Sequence, residues 1–256
     1  MTSSITHSPL FHLTKPLTRG SLERIRTALA TSKTRFTTPK ASGNAAVLIP
    51  LCNVQNTPGI LFEVRGKSLR AHSGEVSFPG GRVDPTDTGH VHTALRETYE
   101  ELGIPNSRIE ILGNIGPPEI NLRGDMVVWP VVGFIHQEAS YSTDMSPEDP
   151  LPSCDLTSIR AVASRTEVDS VFHLPFSALT SAVRLRSSMF RGNRPYWTVG
   201  VADIVENRML DDRYTGGCPP SDDDSEIGPG RYGELEIWGL SGWFLNLLLR
   251  NIEMCQ

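Results

Sequence analysis

The chain has 256 residues, of which 38% are hydrophobic and 21% are charged, and its formal net charge at pH 7 is −5. This is the composition of a globular protein with enough apolar material for a core. A net negative charge gives no electrostatic attraction to nucleic acid or to an anionic membrane surface. No apolar run reaches the roughly 18 residues of a membrane span. We therefore expect a protein that binds neither nucleic acid nor membrane.

The four cysteines, at positions 52, 154, 218 and 255, form no C-x-x-C pair and no zinc-ligand spacing. Such cysteines are typical of reduced thiols and predict an intracellular protein. The first 40 residues hold seven Lys or Arg and one acid, which is compatible with a mitochondrial transit peptide. Leu22, Ile25 and Leu29 recur at helical spacing and favour a leading helix of the domain instead. The sequence leaves peroxisome, mitochondrion and cytosol open.

Short apolar runs separated by turn residues predict strands over residues 45–51, 59–65, 76–78, 109–115 and 127–135. Pro130 lies inside the last run and predicts an edge or bulged strand, because proline cannot donate to a ladder. A helix is expected from Thr88 to Gly103, since a glycine just past the last turn can adopt the left-handed conformation.

A second helix, packed on the sheet, is expected near the C-terminus from helically spaced apolar residues, Leu240, Phe244, Leu247 and Leu248. Residues 137–160 and 206–233 are rich in Ser, Asp, Glu, Pro and Gly and predict loosely ordered insertions. The organisation we expect is an N-terminal extension with a leading helix over residues 1–42, followed by one domain over residues 43–250.

Three carboxylates on the helix expected from Thr88 to Gly103 carry the strongest functional signal. Glu97, Glu100 and Glu101 fall within roughly a 100° arc, so they form one polar stripe. Like charges on one stripe repel and lower helix stability, so a positive partner is expected. Hard oxygen ligands in this arrangement suit Mg²⁺ or Mn²⁺, which also bind substrate phosphates. A solvent-facing acidic stripe is the alternative, and the glycine loop ahead of the helix argues against it.

Residues 74–81, GEVSFPGG, and 96–103, RETYEELG, together resemble the signature box of Nudix hydrolases. The segment at 61–76, LFEVRGKSLRAHSGEV, is similar to the one that precedes the box in the coenzyme A diphosphatase branch. Further similar blocks lie at 129–133, 167–172 and 236–240. Their order along the chain makes the resemblance specific.

The resemblance implies a fold and an activity. The fold would be α/β, the Nudix α/β/α sandwich with a mixed central sheet. The activity would be metal-dependent hydrolysis of the diphosphate in coenzyme A or acyl-coenzyme A, giving 3′,5′-ADP and 4′-phosphopantetheine or its acyl form. The alternatives are a Nudix hydrolase of another nucleotide diphosphate, such as ADP-ribose or a dinucleotide, and a Nudix-fold binding module without catalysis. The oligomeric state and the preference for free or acylated coenzyme A stay open.

The resemblance also implies site residues. Glu97 and Glu101 would be the first metal ligands, with Glu100 in the same cluster and the Gly80 carbonyl as a further ligand. Glu167 lies where some Nudix enzymes supply another ligand or a general base, and it competes with Glu97 for the role of base. A plain loop acid is the other interpretation of Glu167.

Several arginines near the site are candidates for binding the substrate or orienting the carboxylates. Arg65, Arg70 and Arg82 flank the site in sequence, and one or more could bind substrate phosphate. Arg96 lies four residues before Glu100 and is expected to pair with it and orient the carboxylates. Asp87 takes the acid position of the box, but the gap to Arg96 is one residue longer than in the general pattern, which leaves the role of Asp87 open.

Overall fold

The computed structural model describes residues 10–31, 38–69, 72–138, 146–206, 229–230 and 233–254. The helices are α1 (Arg19–Thr31), α2 (His90–Leu102), α3 (Leu156–Val162), α4 (Ala202–Glu206) and α5 (Gly239–Asn251). The strands of the first two thirds are β1 (Gly43–Val54), β2 (Thr57–Arg65), β3 (Val76–Ser77), β4 (Gly80–Arg82), β5 (Ile109–Asn114), β6 (Glu119–Ile120) and β7 (Met126–Ile135). They are followed by β8 (Val168–Pro175), β9 (Leu185–Phe190), β10 (Arg194–Gly200) and β11 (Glu236–Ile237).

The main sheet is mixed, as expected. Its central path runs β3-β2-β1-β7-β5, while β8 pairs with β2, β4 with β1 and β6 with β7. Only the β1–β7 pair is parallel among the described ladders of this sheet. β1 and β2 pair from Leu51 and Ile60 to the turn at their ends. Beyond that point they diverge, and β3 and β4 pair with β2 and β1 respectively.

Both faces of the main sheet are covered, because successive side chains on β1 point to opposite sides. Leu48 packs in the same apolar cluster as Ala94 of α2, on the face that α3 also covers. Ile49 belongs to the larger cluster on the other face, with Leu29 of α1 and Phe244 of α5. Helices on both sides of a mixed sheet make this an α/β/α sandwich.

The prediction that Pro130 marks an edge strand is wrong. β7 lies inside the sheet, between β1 and β5, and the irregular register falls on β5, between Ile111 and Gly113. The Pro130 carbonyl accepts from the Ile115 N–H at 3.3 Å, so this residue faces the side of β5 and β6. β5 ends at Asn114 and β6 starts at Glu119, so no partner strand lies opposite the position where Pro130 lacks an N–H.

A second, three-stranded sheet was not predicted. It has the order β11-β10-β9 and is antiparallel. The helix expected around Leu240 to Leu248 is α5, which packs on β10 of this second sheet and shares an apolar cluster with Ile49 of the main one. Asn246 fixes the contact, because its side chain accepts from the Trp197 N–H at 2.8 Å and donates to the Trp197 carbonyl at 2.7 Å.

The helix expected near the N-terminus is α1, whose Leu22, Ile25 and Leu29 are buried. Of the insertion expected at 137–160, residues 139–145 lie outside the described residues. The remainder is not loose: Leu151 and Cys154 are buried, and α3 begins after residue 155. The insertion at 206–233 lies almost wholly outside the described residues. Among the described helices, none has the length and hydropathy that crossing a bilayer requires.

Candidate active site

Helix α2 is held at its end and along one side. Gly103 takes the left-handed conformation at φ 67°, and its N–H donates to the Tyr99 carbonyl at 2.9 Å, as expected for a glycine that ends a helix. The buried residues Thr93, Ala94 and Leu102 set the packing of α2 on the sheet. The helix therefore presents Glu97 and Glu101, one turn apart, toward the glycine loop.

Gly80 and Gly81 allow the loop to approach these carboxylates closely. The Gly80 N–H donates to Glu101 Oε2 at 2.8 Å. A Cβ at Gly80 would lie 2.3 Å from the Ala46 carbonyl oxygen, and one at Gly81 would lie 2.4 Å from Cδ of Glu97. Position 80 therefore requires glycine, because the clash is with backbone, whereas a side chain at Gly81 would displace the Glu97 carboxylate. The contact made by Gly80 is its N–H; its carbonyl as a metal ligand stays a prediction.

Glu63 on β2 is a site residue that the sequence analysis missed. Its side chain is 0% exposed, and its Oε1 accepts from the Ser77 hydroxyl at 3.0 Å. Oε2 is buried and has no hydrogen-bond partner within the described part of the chain. Burial raises the pKa of Glu63 to about 7, against the opposing effect of Arg65. A charged residue inside the apolar run 59–65 was the available signal.

Glu101 and Glu63 belong to one buried acidic group. Burial, and then the charge of Glu63, raise the pKa of Glu101 to about 9, although the Gly80 N–H acts in the opposite direction. Arg65 Nη1 lies 3.7 Å from Glu63 Oε1 and 3.8 Å from Glu101 Oε1. One guanidinium thus faces two buried carboxylates, which leaves the group short of positive charge.

Glu97 and Glu167 complete this acidic group. Burial is the main cause that raises the pKa of Glu97, and the neighbouring Arg96 opposes it. Glu167 is exposed, but its charge acts on both Glu63 and Glu97. The Gly66 N–H donates to the Glu167 carbonyl at 2.7 Å, so the end of β2 brings this residue to the site.

Asp87 receives a structural role. Its side chain is fully enclosed, and it accepts hydrogen bonds from Arg96, His92, Thr93 and the Asp84 N–H. The Arg96 guanidinium is the main cause that holds the pKa of Asp87 well below its usual range. Asp87 therefore fixes Arg96, which explains the acid position of the box.

Arg96 in turn orients the helix carboxylates, as the sequence predicted. Its Nη1 lies 2.9 Å from Glu97 Oε1 and 2.9 Å from Glu100 Oε2. Glu100 is 51% exposed and lies at the outer side of the stripe. Glu97 and Glu101 are thus the two stripe carboxylates that face the protein interior.

A cavity of about 360 Å³ opens beside the glycine loop. Arg65 and Arg82, two of the three predicted substrate-binding cations, lie in its wall with Gly80 and Gly81. Arg82 is 71% exposed, and its Nη2 lies 3.8 Å from Asp125 Oδ2. Arg70 lies outside the described residues.

The residues present fit a divalent cation. Glu63, Glu97 and Glu101 offer only hard oxygen donors, and the unpartnered Oε2 of Glu63 adds an unsatisfied acceptor beside them. Within the described ranges, no group of three or more His, Cys, Asp or Glu forms a preformed metal cage. Mg²⁺ in proteins is usually held by one or two carboxylates, waters and substrate phosphates, which agrees with this more open arrangement.

The sandwich with a glycine loop beside a carboxylate helix defines a class of hydrolase, and comparison with known proteins gives the same class. The model of the NUDIX domain matches residues 43–168. Nudix hydrolase 3 of Caenorhabditis elegans is 31% identical over 211 residues, which cover 82% of this chain and 73% of that protein. The chain belongs to the Nudix hydrolase family.

Another relative is the human mitochondrial coenzyme A diphosphatase NUDT8, 38% identical over 157 residues that cover 61% of this chain. The chain spans 57% of the length of NUDT8. A crystal structure of a MutT/nudix family protein from Enterococcus faecalis is 20% identical, covers 61% of this chain and 54% of that one, and has a TM-score of 0.34. A TM-score this low supports no conclusion about the site.

Proposed function

We propose that the chain hydrolyses the diphosphate of coenzyme A or its thioesters, with Mg²⁺ or Mn²⁺, to 3′,5′-ADP and 4′-phosphopantetheine or its acyl form. One observation carries the proposal. The segment 61–76, which resembles the coenzyme A diphosphatase branch, supplies Arg65, His72 and Glu75 to the cavity wall that Gly80 and Gly81 also form. The subfamily segment thus meets, at one cavity, the glycine loop whose Gly80 N–H contacts Glu101 of the acidic group, and NUDT8 supports the same substrate.

The residues have distinct parts in this reaction. Glu97 and Glu101 would hold the cation, with Glu63 beside them. When bound, Mg²⁺ or Mn²⁺ would neutralise the diphosphate and polarise the attacking water. Arg65 brings its guanidinium to the same place and can bind a phosphate oxygen. Glu97 or Glu167 would accept the proton of the water, since both lie in the acidic group.

A substrate panel with Mg²⁺ or Mn²⁺ tests the proposal, with products identified by mass. The panel contains coenzyme A, an acyl-coenzyme A, ADP-ribose, a dinucleoside polyphosphate and a nucleoside triphosphate. We expect 3′,5′-ADP and a phosphopantetheine product at the highest kcat/KM. Equal or faster turnover of ADP-ribose would contradict the coenzyme A assignment, and binding of coenzyme A without turnover of any substrate would indicate a binding module.

A further inference from the structure

The far wall of the 360 Å³ cavity is built by the second sheet and by the start of α5. Phe190, Arg191, Trp238 and Leu240 contribute to this wall. All four lie beyond residue 168, where the match to the NUDIX domain ends. Gly80, whose N–H contacts Glu101, lines the same cavity, so a substrate bound beside the glycine loop can extend to this wall.

The far wall is fixed to the main sheet, and its two parts, the second sheet and α5, are joined to each other. Glu119 on β6 pairs with Arg194 on β10 and accepts from Trp243 Nε1 at 3.1 Å. The Gly239 N–H donates to the Tyr196 hydroxyl at 3.0 Å, which joins α5 to β10. Because these contacts already fix the wall, ligand binding does not have to meet the entropic cost of ordering it.

Arg191 has an unusual backbone conformation in the turn between β9 and β10. Its φ is 54° and that of Gly192 is 73°, so two successive residues lie in the left-handed region. Glycine, Asn or Asp is usual at such positions, and an arginine there is uncommon. An uncommon conformation at a cavity wall points to a use for the side chain.

The Arg191 side chain is held in place. Its Nη2 donates to the Ile120 carbonyl at 2.6 Å, and the guanidinium carbon lies 5.3 Å from the centre of the Phe190 ring. Of the three other arginines in the cavity wall, Arg65 and Arg82 each lie near a carboxylate. Arg191 forms no salt bridge to a carboxylate of the described residues, so none of these carboxylates neutralises its charge.

We propose that Arg191 binds the 3′-phosphate of coenzyme A, a phosphate monoester remote from the diphosphate that reacts. The proposal rests on the proposed function and names the specificity residue of that site. A guanidinium fixed by a carbonyl and an aromatic ring still has N–H groups for a phosphate, and charge-assisted hydrogen bonds of this kind are strong. Trp238 on the same wall offers an aromatic surface for the adenine ring.

The test compares kcat/KM for coenzyme A and for dephospho-coenzyme A in the wild type and in Arg191→Asn. Asparagine tolerates the left-handed conformation, so this variant removes the cation and leaves the turn favourable. We expect the wild type to prefer coenzyme A by about tenfold or more. In Arg191→Asn the preference should fall to about twofold or less, with dephospho-coenzyme A turnover nearly unchanged. Arg165→Gln, an exposed arginine outside this cavity, is the control and should keep the preference.

Two results would overturn the assignment of Arg191: equal losses on both substrates in a folded Arg191→Asn protein, or no preference in the wild type. Equal losses on both substrates would show that Arg191 only stabilises the turn between β9 and β10. Absence of coenzyme A hydrolysis in the wild type would instead overturn the proposed function. Binding of 3′,5′-ADP and 5′-AMP to the metal-free protein then tests the assignment of Arg191 by itself. A preference for 3′,5′-ADP that is lost in Arg191→Asn supports the assignment, and the absence of any preference contradicts it.

Discussion

At Glu101, burial and a neighbouring carboxylate oppose ionisation, while a backbone N–H stabilises the charge. The three effects meet because α2 turns this residue toward Gly80 and because Glu63 lies opposite on β2. A carboxylate kept in such surroundings needs a cation when it is charged. Glu100, one residue earlier, is half exposed and paired with Arg96, so it offers a matched comparison.

Glu101→Gln removes one charge at nearly constant shape. We expect turnover with saturating Mg²⁺ to fall at least about 10²-fold, as when a principal electrostatic stabiliser is lost. The Gly80 N–H can still donate to the amide oxygen, so the variant should fold. Steady-state kinetics measure the effect, and Glu100→Gln should lose much less. Near-normal turnover of Glu101→Gln would contradict the metal assignment.

The two candidate bases can be separated by the same kind of substitution. We expect Glu97→Gln to abolish most turnover at saturating metal and Glu167→Gln to lose less, because Glu97 contacts the glycine loop while Glu167 is exposed. Single-turnover rates across pH measure the chemical step. If Glu97→Gln keeps most of its rate and Glu167→Gln does not, Glu167 is the base.

At the scale of elements, the loop before α2 is joined to that helix by one side chain. Asp87 accepts from the residue that starts the loop turn, Asp84, and from Arg96, two turns into the helix. The longer gap between Asp87 and Arg96 therefore does not separate them. It gives the loop enough length to place an enclosed carboxylate against the guanidinium.

Asp87→Asn should loosen this connection, because an amide N–H₂ replaces one oxygen that faces donors. We expect the free energy of unfolding to fall by about 1–3 kcal/mol. The pKa of Asp87 is lowered in the folded state, so its stabilisation is present above the ordinary aspartate value of about 3.9 and is lost as the pH falls below it. Urea unfolding at pH 7 and at pH 3 measures both effects. A loss of equal size at the two pH values would contradict a stabilising role of the Asp87 charge.

At the scale of the whole molecule, two sheets meet around one cavity. The main sheet supplies the glycine loop, which contacts the acidic group through the Gly80 N–H, and the second sheet supplies the far wall. Because the pKa values of Glu63 and Glu101 are raised in the folded state, these two carboxyls hold more protons in the folded chain than in the unfolded one above about pH 4.3. Their contribution to stability decreases as the pH rises through the folded pKa values. The buried His173, whose pKa is lowered to about 4, acts in the opposite direction only below the ordinary histidine value of about 6.5.

We expect the melting temperature of the metal-free protein to fall between pH 6 and pH 9, where these carboxyls ionise. Mg²⁺ or Mn²⁺ should raise it more at pH 8 than at pH 6, since binding to the folded state stabilises it and the charged carboxylates bind better. Thermal unfolding in a chelator and with added metal measures this. Glu101→Gln should reduce the fall of the melting temperature with pH in the chelator, and Glu100→Gln should not. If Glu101→Gln leaves this pH dependence unchanged, ionisation of Glu101 does not cause the loss of stability.

The sequence by itself determined what depends on local spacing. The stripe of Glu97 and Glu101, the glycine that ends α2 and most strands of the main sheet follow from helical or alternating periodicity within short windows. The family followed from short motifs that lie in order along the chain. That Arg96 would reach Glu100 was likewise predictable, because residues four apart are neighbours on a helix.

Only the tertiary structure decided which distant residues join the site. Glu63 meets Glu101 across 38 positions of the sequence, since β2 lies opposite α2. Pro130 lies inside the sheet because a gap between two partner strands accommodates its missing donor. Arg191 reaches the cavity through a turn of the second sheet, whose place is set by buried contacts of Glu119 and Trp243. Periodicity shows which face of an element is apolar, but it does not show which partner that face meets, because the partner is selected by packing of the whole chain.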